Sequence, residues 1–291
     1  MEELIQYLTD KPDITKIVIR KEEPIYPIIL IHGYEADPSI WDVFVPFFGM
    51  NGYVLGKNLF CLDLRGIKGI ANEDIKEYAA DLAYMIDRIK SSKKNSKVNI
   101  IAHSMGGLVS RWYIEQMDRG KNINKLIMLG TPNHGSIYLP LIIRVMKGYD
   151  KILKKIDNSI ISLNELSYKI IDKTKKGSEK RKEKLKEKLK ILIDRQKMDN
   201  LGKAGIQMTP DSVFLTTLGY KGKPNYYLVI GTKGFPGILP GGPNDGAVPA
   251  SSVELENIPE KNKAYFEATH LQLHLKPKIF NKIMQFIYAK I

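Results

Sequence analysis

Short, β-rich and mostly apolar runs alternate with longer stretches of helical period along this chain. Pro27-Ile28-Ile29-Leu30-Ile31 offers no polar side chain to water on either face, the pattern of a strand buried on both sides of a sheet. Residues 58–63, 98–102, 125–129 and 226–230 read as further strands, mostly apolar but with Asn58, Asp63, Asn99 and Lys125 among them, with Ile17-Val18-Ile19 an early strand and Ala264-Tyr265-Phe266 a last one. Between them, Ile75, Tyr78, Ala79, Leu82, Ala83, Ile86 and Ile89 recur at helical spacing, with Asn72 placed to cap the start. Residues 108–117 and 278–288 predict two further helices. Strand–helix alternation predicts an α/β fold with a mostly parallel sheet covered by helices on both faces. Such sheets bind ligands at the carboxyl ends of their strands.

Residues 137–222 break the rhythm. They begin apolar and turn lysine-rich, with Leu185, Leu189, Leu192 and Ile193 forming one stripe of an amphipathic helix. We read 1–136 with 223–291 as the core domain and 137–222 as a helical insertion between two strands. Composition then narrows the picture. An apolar fraction of 43% over 291 residues supports a buried core. No apolar run reaches eighteen residues, so no membrane-spanning helix is expected. The start shows no signal-peptide pattern, which leaves the expected compartment cytoplasmic, or secreted by another route. One cysteine, Cys61, allows neither an intrachain disulfide nor a cysteine-based zinc site. The formal charge is +13, yet residues 151–200 hold 16 Lys/Arg against 8 Asp/Glu. The basic excess therefore sits mostly in the insertion, where it suits contact with anionic lipid better than a general nucleic-acid surface. Abundant Lys and Glu are also common in thermostable proteins.

Ala102-His103-Ser104-Met105-Gly106-Gly107 follows a predicted strand and precedes a predicted helix. That is the context of a nucleophile elbow, in which a sharp turn lifts the Ser104 hydroxyl off the sheet and aims a helix N-terminus at the reacting oxygen. Small residues must flank so tight a turn. Gly106 meets this on one side, and Ala102 stands where glycine is more usual.

The same string resembles the elbow of α/β-hydrolase-fold bacterial lipases and esterases, including a subgroup with Ala in first position. Ile31-His32-Gly33-Tyr34 resembles their first oxyanion loop. Leu129-Gly130-Thr131-Pro132-Asn133-His134-Gly135-Ser136 resembles a Gly-Thr-Pro segment of many lipases. Pro210 to Leu215 is similar to a motif that follows the lipase lid, and Asn244-Asp245-Gly246-Ala247-Val248-Pro249 to the acid loop. These motifs stand in family order.

A serine hydroxyl needs a neutral imidazole in reach, and that imidazole needs an acceptor on its other nitrogen. Of five histidines, His32 and His103 have chain positions suited to packing or loop hydrogen bonds, and His134 suits loop structure. His270 and His274 both follow the last predicted strand. The resemblance favours His270, because Leu271 follows it on a loop before the final helix. Asp245 is the expected acid, in a glycine-rich loop after the 226–230 strand. Asp211 is the alternative, and Asp63 reads as a loop anchor. The resemblance further implies that the backbone N–H groups of Tyr34 and Met105 form the oxyanion hole.

The expected function is a serine carboxylic-ester hydrolase of lipase or esterase type, acting on a lipid or other ester. An acyltransferase or thioesterase on the same triad, or a lipid-binding protein without catalysis, are the alternatives. A nucleic-acid partner is not expected. No cofactor is required by this chemistry. Some related lipases carry a structural calcium near the histidine loop, but His270-Leu271-Gln272-Leu273 lacks an adjacent acid, so no metal is expected.

Overall fold

The computed structural model describes residues 26–65, 73–92, 97–117, 119–136, 202–234 and 242–290. The expected strand at 17–19, the Asn72 cap and most of the 137–222 insertion lie outside the described residues.

Strands β1 (Ile28–Ile31), β2 (Leu59–Leu62), β3 (Val98–His103), β4 (Ile123–Leu129), β5 (Tyr226–Gly231) and β6 (Lys263–Phe266) form one sheet in the order β2-β1-β3-β4-β5-β6. Every pairing is parallel. Alternate side chains enter opposite cores, which is why these runs tolerate so few polar residues. Ile29, Ile31, Ile100 and Met128 face one core, whereas Ile28, Leu30, Ile101 and Ile127 face the other.

Helices close both faces. α1 (Val45–Met50) and the last helix, α7 (Pro277–Tyr288), cover one side. In α7, Ile279, Phe280, Ile283, Met284, Phe286 and Ile287 are buried, the stripe expected of an amphipathic helix against a sheet. α2 (Ile75–Ser92) and α3 (Met105–Glu115) cover the other side. All seven apolar positions expected to make the buried stripe of α2 are buried. Its start is capped by Asp74, whose carboxylate accepts the Lys76 N–H at 2.9 Å. Gln207 adds a second cap from far along the chain, taking the Ile75 N–H at 2.9 Å and donating to Asp74 at 2.7 Å.

Gln207 ends α4 (Gly202–Gln207), which with α5 (Val213–Leu218) forms the described end of the expected insertion. Ala204, Met208, Phe214, Leu215 and Leu218 are buried in the core shared with α2 and α3. Residues 202–218 therefore pack into the same core as α2 and α3. A short helix, α6 (Ala250–Val253), precedes β6.

Register sets the working edge. Ile31 pairs with Ala102, His103 with Leu129, Leu129 with Val229, and Gly231 with Phe266. The strands thus end level with one another. The loops that leave them carry Gly33, Ser104, Gly130, Asp245 and His270. The chain reverses direction across the sheet between β1 and β3, and Gly33 and Ser104 flank that crevice.

Candidate active site

Ser104 joins β3 to α3 with φ 54° and ψ −124°. A non-glycine residue rarely holds a positive φ, at a cost of about 1–3 kcal/mol. The surroundings hold it there. The Ser104 N–H donates to the Leu129 carbonyl at 2.8 Å, and its own carbonyl accepts the Gly107 N–H at 3.0 Å. Gly106 is required by packing: a Cβ there would stand 2.7 Å from the His32 carbonyl oxygen and 2.8 Å from that of Ile31. A Cβ at Gly33 would stand 2.9 Å from the Ser104 Cβ. The loop that begins with Gly33 and Tyr34 therefore lies directly against the elbow. Met105 is the first residue of α3, so its N–H has no intrahelical acceptor and points out of the helix start.

Asp245 is buried and fully engaged. Its Oδ1 accepts the N–H groups of Ala247 at 2.9 Å and Val248 at 2.7 Å. Its Oδ2 lies 2.7 Å from His270 Nδ1. A carboxylate can only accept here, so Nδ1 carries the proton and a neutral His270 keeps Nε2 as its acceptor. The Asp245 loop is itself tied to the segment 131–136. The Ser136 hydroxyl donates to the Ala247 carbonyl, the Ser252 hydroxyl donates to the Gly135 carbonyl at 2.5 Å, and Asn133 Nδ2 donates to the Val253 carbonyl at 2.7 Å. The Gly-Thr-Pro-Asn-His-Gly-Ser segment thus shapes the loop that carries Asp245.

Gly130 and Gly231 have a part that the sequence alone did not assign. Gly130 has φ +59°, and a Cβ there would come within 3.0 Å of both Asp245 Oδ2 and His270 Nδ1. A Cβ at Gly231 would stand 2.7 Å from the Asp245 Cβ. Both glycines leave room for the carboxylate–imidazole pair. The Ser104 amide binds the carbonyl of Leu129, the residue before Gly130. A glycine directly after an apolar strand was the available signal, but it names no partner.

The other candidate acids and histidines have different partners. Asp211 is exposed in the turn between α4 and α5. Asp63 pairs with Arg65 at 2.7 Å and accepts its backbone N–H at 3.0 Å, as a loop anchor does. That contact with Arg65 holds the Asp63 carboxyl down at about 2. His274 is buried edge-on to Trp41, and burial pushes its pKa down to about 4. His32 accepts the Leu64 N–H on Nε2 at 2.8 Å and meets the Gly33 carbonyl through Nδ1 at 3.0 Å. Those two bonds fix a neutral tautomer, and burial lowers its pKa accordingly. His134 stacks on Tyr220 and reaches the Glu254 carbonyl at 3.0 Å. His103 binds the main-chain carbonyl of His270 at 3.0 Å.

A profile of the α/β hydrolase fold family matches residues 26–163. By sequence, the chain is similar to triacylglycerol lipases from Pseudarthrobacter phenanthrenivorans and Burkholderia plantarii. Each is 24% identical over 124 residues, which is 42% of this chain. The matched stretch spans 38% and 34% of those relatives, little more than a third of their length. By structure, it is similar to the mature Bacillus licheniformis lipase BlEst2. The TM-score is 0.58 at 19% identity, over 94% of this chain and 96% of that one. A lipase-esterase related protein from Clostridium acetobutylicum follows with TM-score 0.54 at 16% identity, over 93% and 97% of the two chains. Sheet order, the strained turn at Ser104 and the structural likenesses agree: the chain has the α/β-hydrolase fold.

Proposed function

We propose that this protein is a serine carboxylic-ester hydrolase of lipase or esterase type, with Ser104 as nucleophile, His270 as base and Asp245 as the acid that orients it. His270 Nε2 takes the Ser104 proton as Oγ attacks the ester carbonyl. The negative charge that develops on the carbonyl oxygen is held by the N–H groups of Tyr34 and Met105. The tetrahedral intermediate collapses, the protonated His270 gives its proton to the leaving alcohol, and Ser104 keeps the acyl group. Water then attacks the acyl-enzyme with His270 again as base, releasing the acid and restoring Ser104.

The observation that carries this reading is the 2.7 Å contact between buried Asp245 and His270 Nδ1, on the sheet edge where Ser104 holds a positive φ. The lipase names of the sequence and structural relatives support the choice of esters over other acyl compounds. The apolar start and leucine stripe of 137–222 support reading the insertion as a cover over an acyl site, with its basic residues toward anionic lipid.

Hydrolysis of p-nitrophenyl esters of increasing chain length tests the proposal. Ser104→Ala should abolish turnover and phosphonate labelling together. Ester hydrolysis that survives Ser104→Ala unchanged would overturn it. Acyl transfer to alcohols or thiols in preference to water would redirect it to the acyltransferase or thioesterase alternative.

A further inference from the structure

His103 immediately precedes Ser104, and its side chain is buried at the last position of β3. A carbonyl can only accept, so the 3.0 Å contact with the His270 main chain requires His103 Nε2 to carry the proton. The same carbonyl takes the Leu273 N–H at a longer 3.4 Å. The His103 ring lies 4.5 Å from the His270 ring and 4.9 Å from the His274 ring, centre to centre. Its Nδ1 would stand 3.3 Å from a Cβ on Gly33. One side chain therefore touches the loop of the candidate base and the loop of the candidate oxyanion hole, and is joined by a peptide bond to the candidate nucleophile.

The remaining bonds of His270 lead elsewhere. Its Nδ1–H and its backbone N–H both go to Asp245, at 2.7 and 2.8 Å. Those two register His270 against the acid loop and leave its distance from β3 unset. The contact from His103 registers it against the strand that ends in Ser104.

We propose that His103 is a positioning residue, whose Nε2–H holds the His270 carbonyl and so sets where the His270 imidazole stands relative to Ser104. This rests on the ester-hydrolase reading above. Burial, with His270 and His274 alongside and His32 nearby, keeps the His103 pKa well below the usual histidine range. It therefore stays a neutral donor while His270 gains and loses its proton.

The test compares His103→Leu with His103→Gln on p-nitrophenyl butyrate. A misplaced base about 1 Å out of line loses on the order of 10²-fold in rate. We expect His103→Leu to lower kcat about 10- to 100-fold with KM changed less than about twofold, because ester binding does not use this contact. Glutamine carries an N–H at a reach close to that of Nε2, so His103→Gln should recover kcat to within about fivefold of the parent. A leucine variant with parental kcat overturns the proposal. So does a glutamine variant as slow as leucine, which would mean that ring packing alone matters.

Nitrogen NMR of the unsubstituted protein needs neither variant to fold. His103 should be neutral with its proton on Nε2 at pH 7, and a proton on Nδ1 or a charged ring overturns the proposal. If the parent hydrolyses no ester, the function reading fails while the NMR result still decides the hydrogen bond. If Ser104→Ala is inactive and His103→Leu is not impaired, only the positioning role fails.

Discussion

Asp245 and His270 are joined twice. The carboxylate meets the imidazole Nδ1 at 2.7 Å, and the Asp245 carbonyl accepts the His270 backbone N–H at 2.8 Å. The side-chain bond selects the imidazole tautomer, and the backbone bond fixes one loop against the other. The two bonds can therefore be separated by mutation.

Asp245→Asn should separate them. The amide oxygen can still accept the Ala247 and Val248 N–H groups. Its NH2 would then face His270 Nδ1 and force the proton onto Nε2, the wrong tautomer for a base. We expect kcat on a soluble ester to fall about 10³–10⁴-fold. Circular dichroism should be unchanged. A fall of less than tenfold would show that Asp245 does not orient the base.

Strain at the elbow can be weighed without any assay of activity. Ser104→Ala and Ser104→Gly both remove the hydroxyl, but only glycine relieves the positive φ of 54°. Relief of about 1–3 kcal/mol exceeds the entropy glycine loses on folding, about 0.5–1 kcal/mol. Urea unfolding should find the glycine variant more stable than the alanine variant by about 1 kcal/mol. The reverse order would show that the backbone is unstrained there.

Acid should weaken the fold well before most carboxylates protonate. Burial lowers the pKa of His274 to about 4 and holds that of His103 well below its usual range. In the unfolded chain both protonate near pH 6.5. Below that pH the unfolded state binds more protons than the native one. Stability is therefore complete above pH 6.5 and is lost as the pH falls toward 4. Denaturant titration should therefore find the protein less stable at pH 5 than at pH 7. His274→Phe should remove part of that loss, and equal stability at the two pH values would show that neither histidine is held neutral by the fold.

The end of the last helix depends on a buried lysine. Lys125 on β4 donates to the carbonyls of Phe286 at 2.7 Å and Ile287 at 2.9 Å, and to that of Ala289. These are carbonyls that a helix leaves open at its C-terminal end, where positive charge is also favoured. Lys125→Met should cost about 2–4 kcal/mol. Exchange of the last-turn amides of α7 should rise with it. An unchanged unfolding free energy would mean that water replaces the ammonium group without loss.

Local pattern determined much of this protein. A strand buried on both faces admits few polar residues, so the runs 27–31, 98–102 and 226–230 were visible, and β3 and β5 each extend one residue past theirs. The seven apolar positions of α2 could be read from their spacing, because helical period and burial are one geometric fact. The elbow at Ser104 was visible because its turn leaves space only for small neighbours. The helix boundary was less visible: α3 begins at Met105, three residues before the apolar pattern does, since Gly106 and Gly107 carry no hydrophobic signal.

Only the tertiary structure decided which loops meet. His270 pairs with Asp245, 25 residues away, and Asp211 stands exposed in another turn. Asp74 and Gln207 together cap α2, although 133 residues separate them in the chain. His103 reaches His270 across 167 residues. A side chain's type and its neighbours in the chain state what it can donate or accept. Which partner arrives is set by how the sheet aligns the ends of its strands, a distance that no local stretch of sequence encodes.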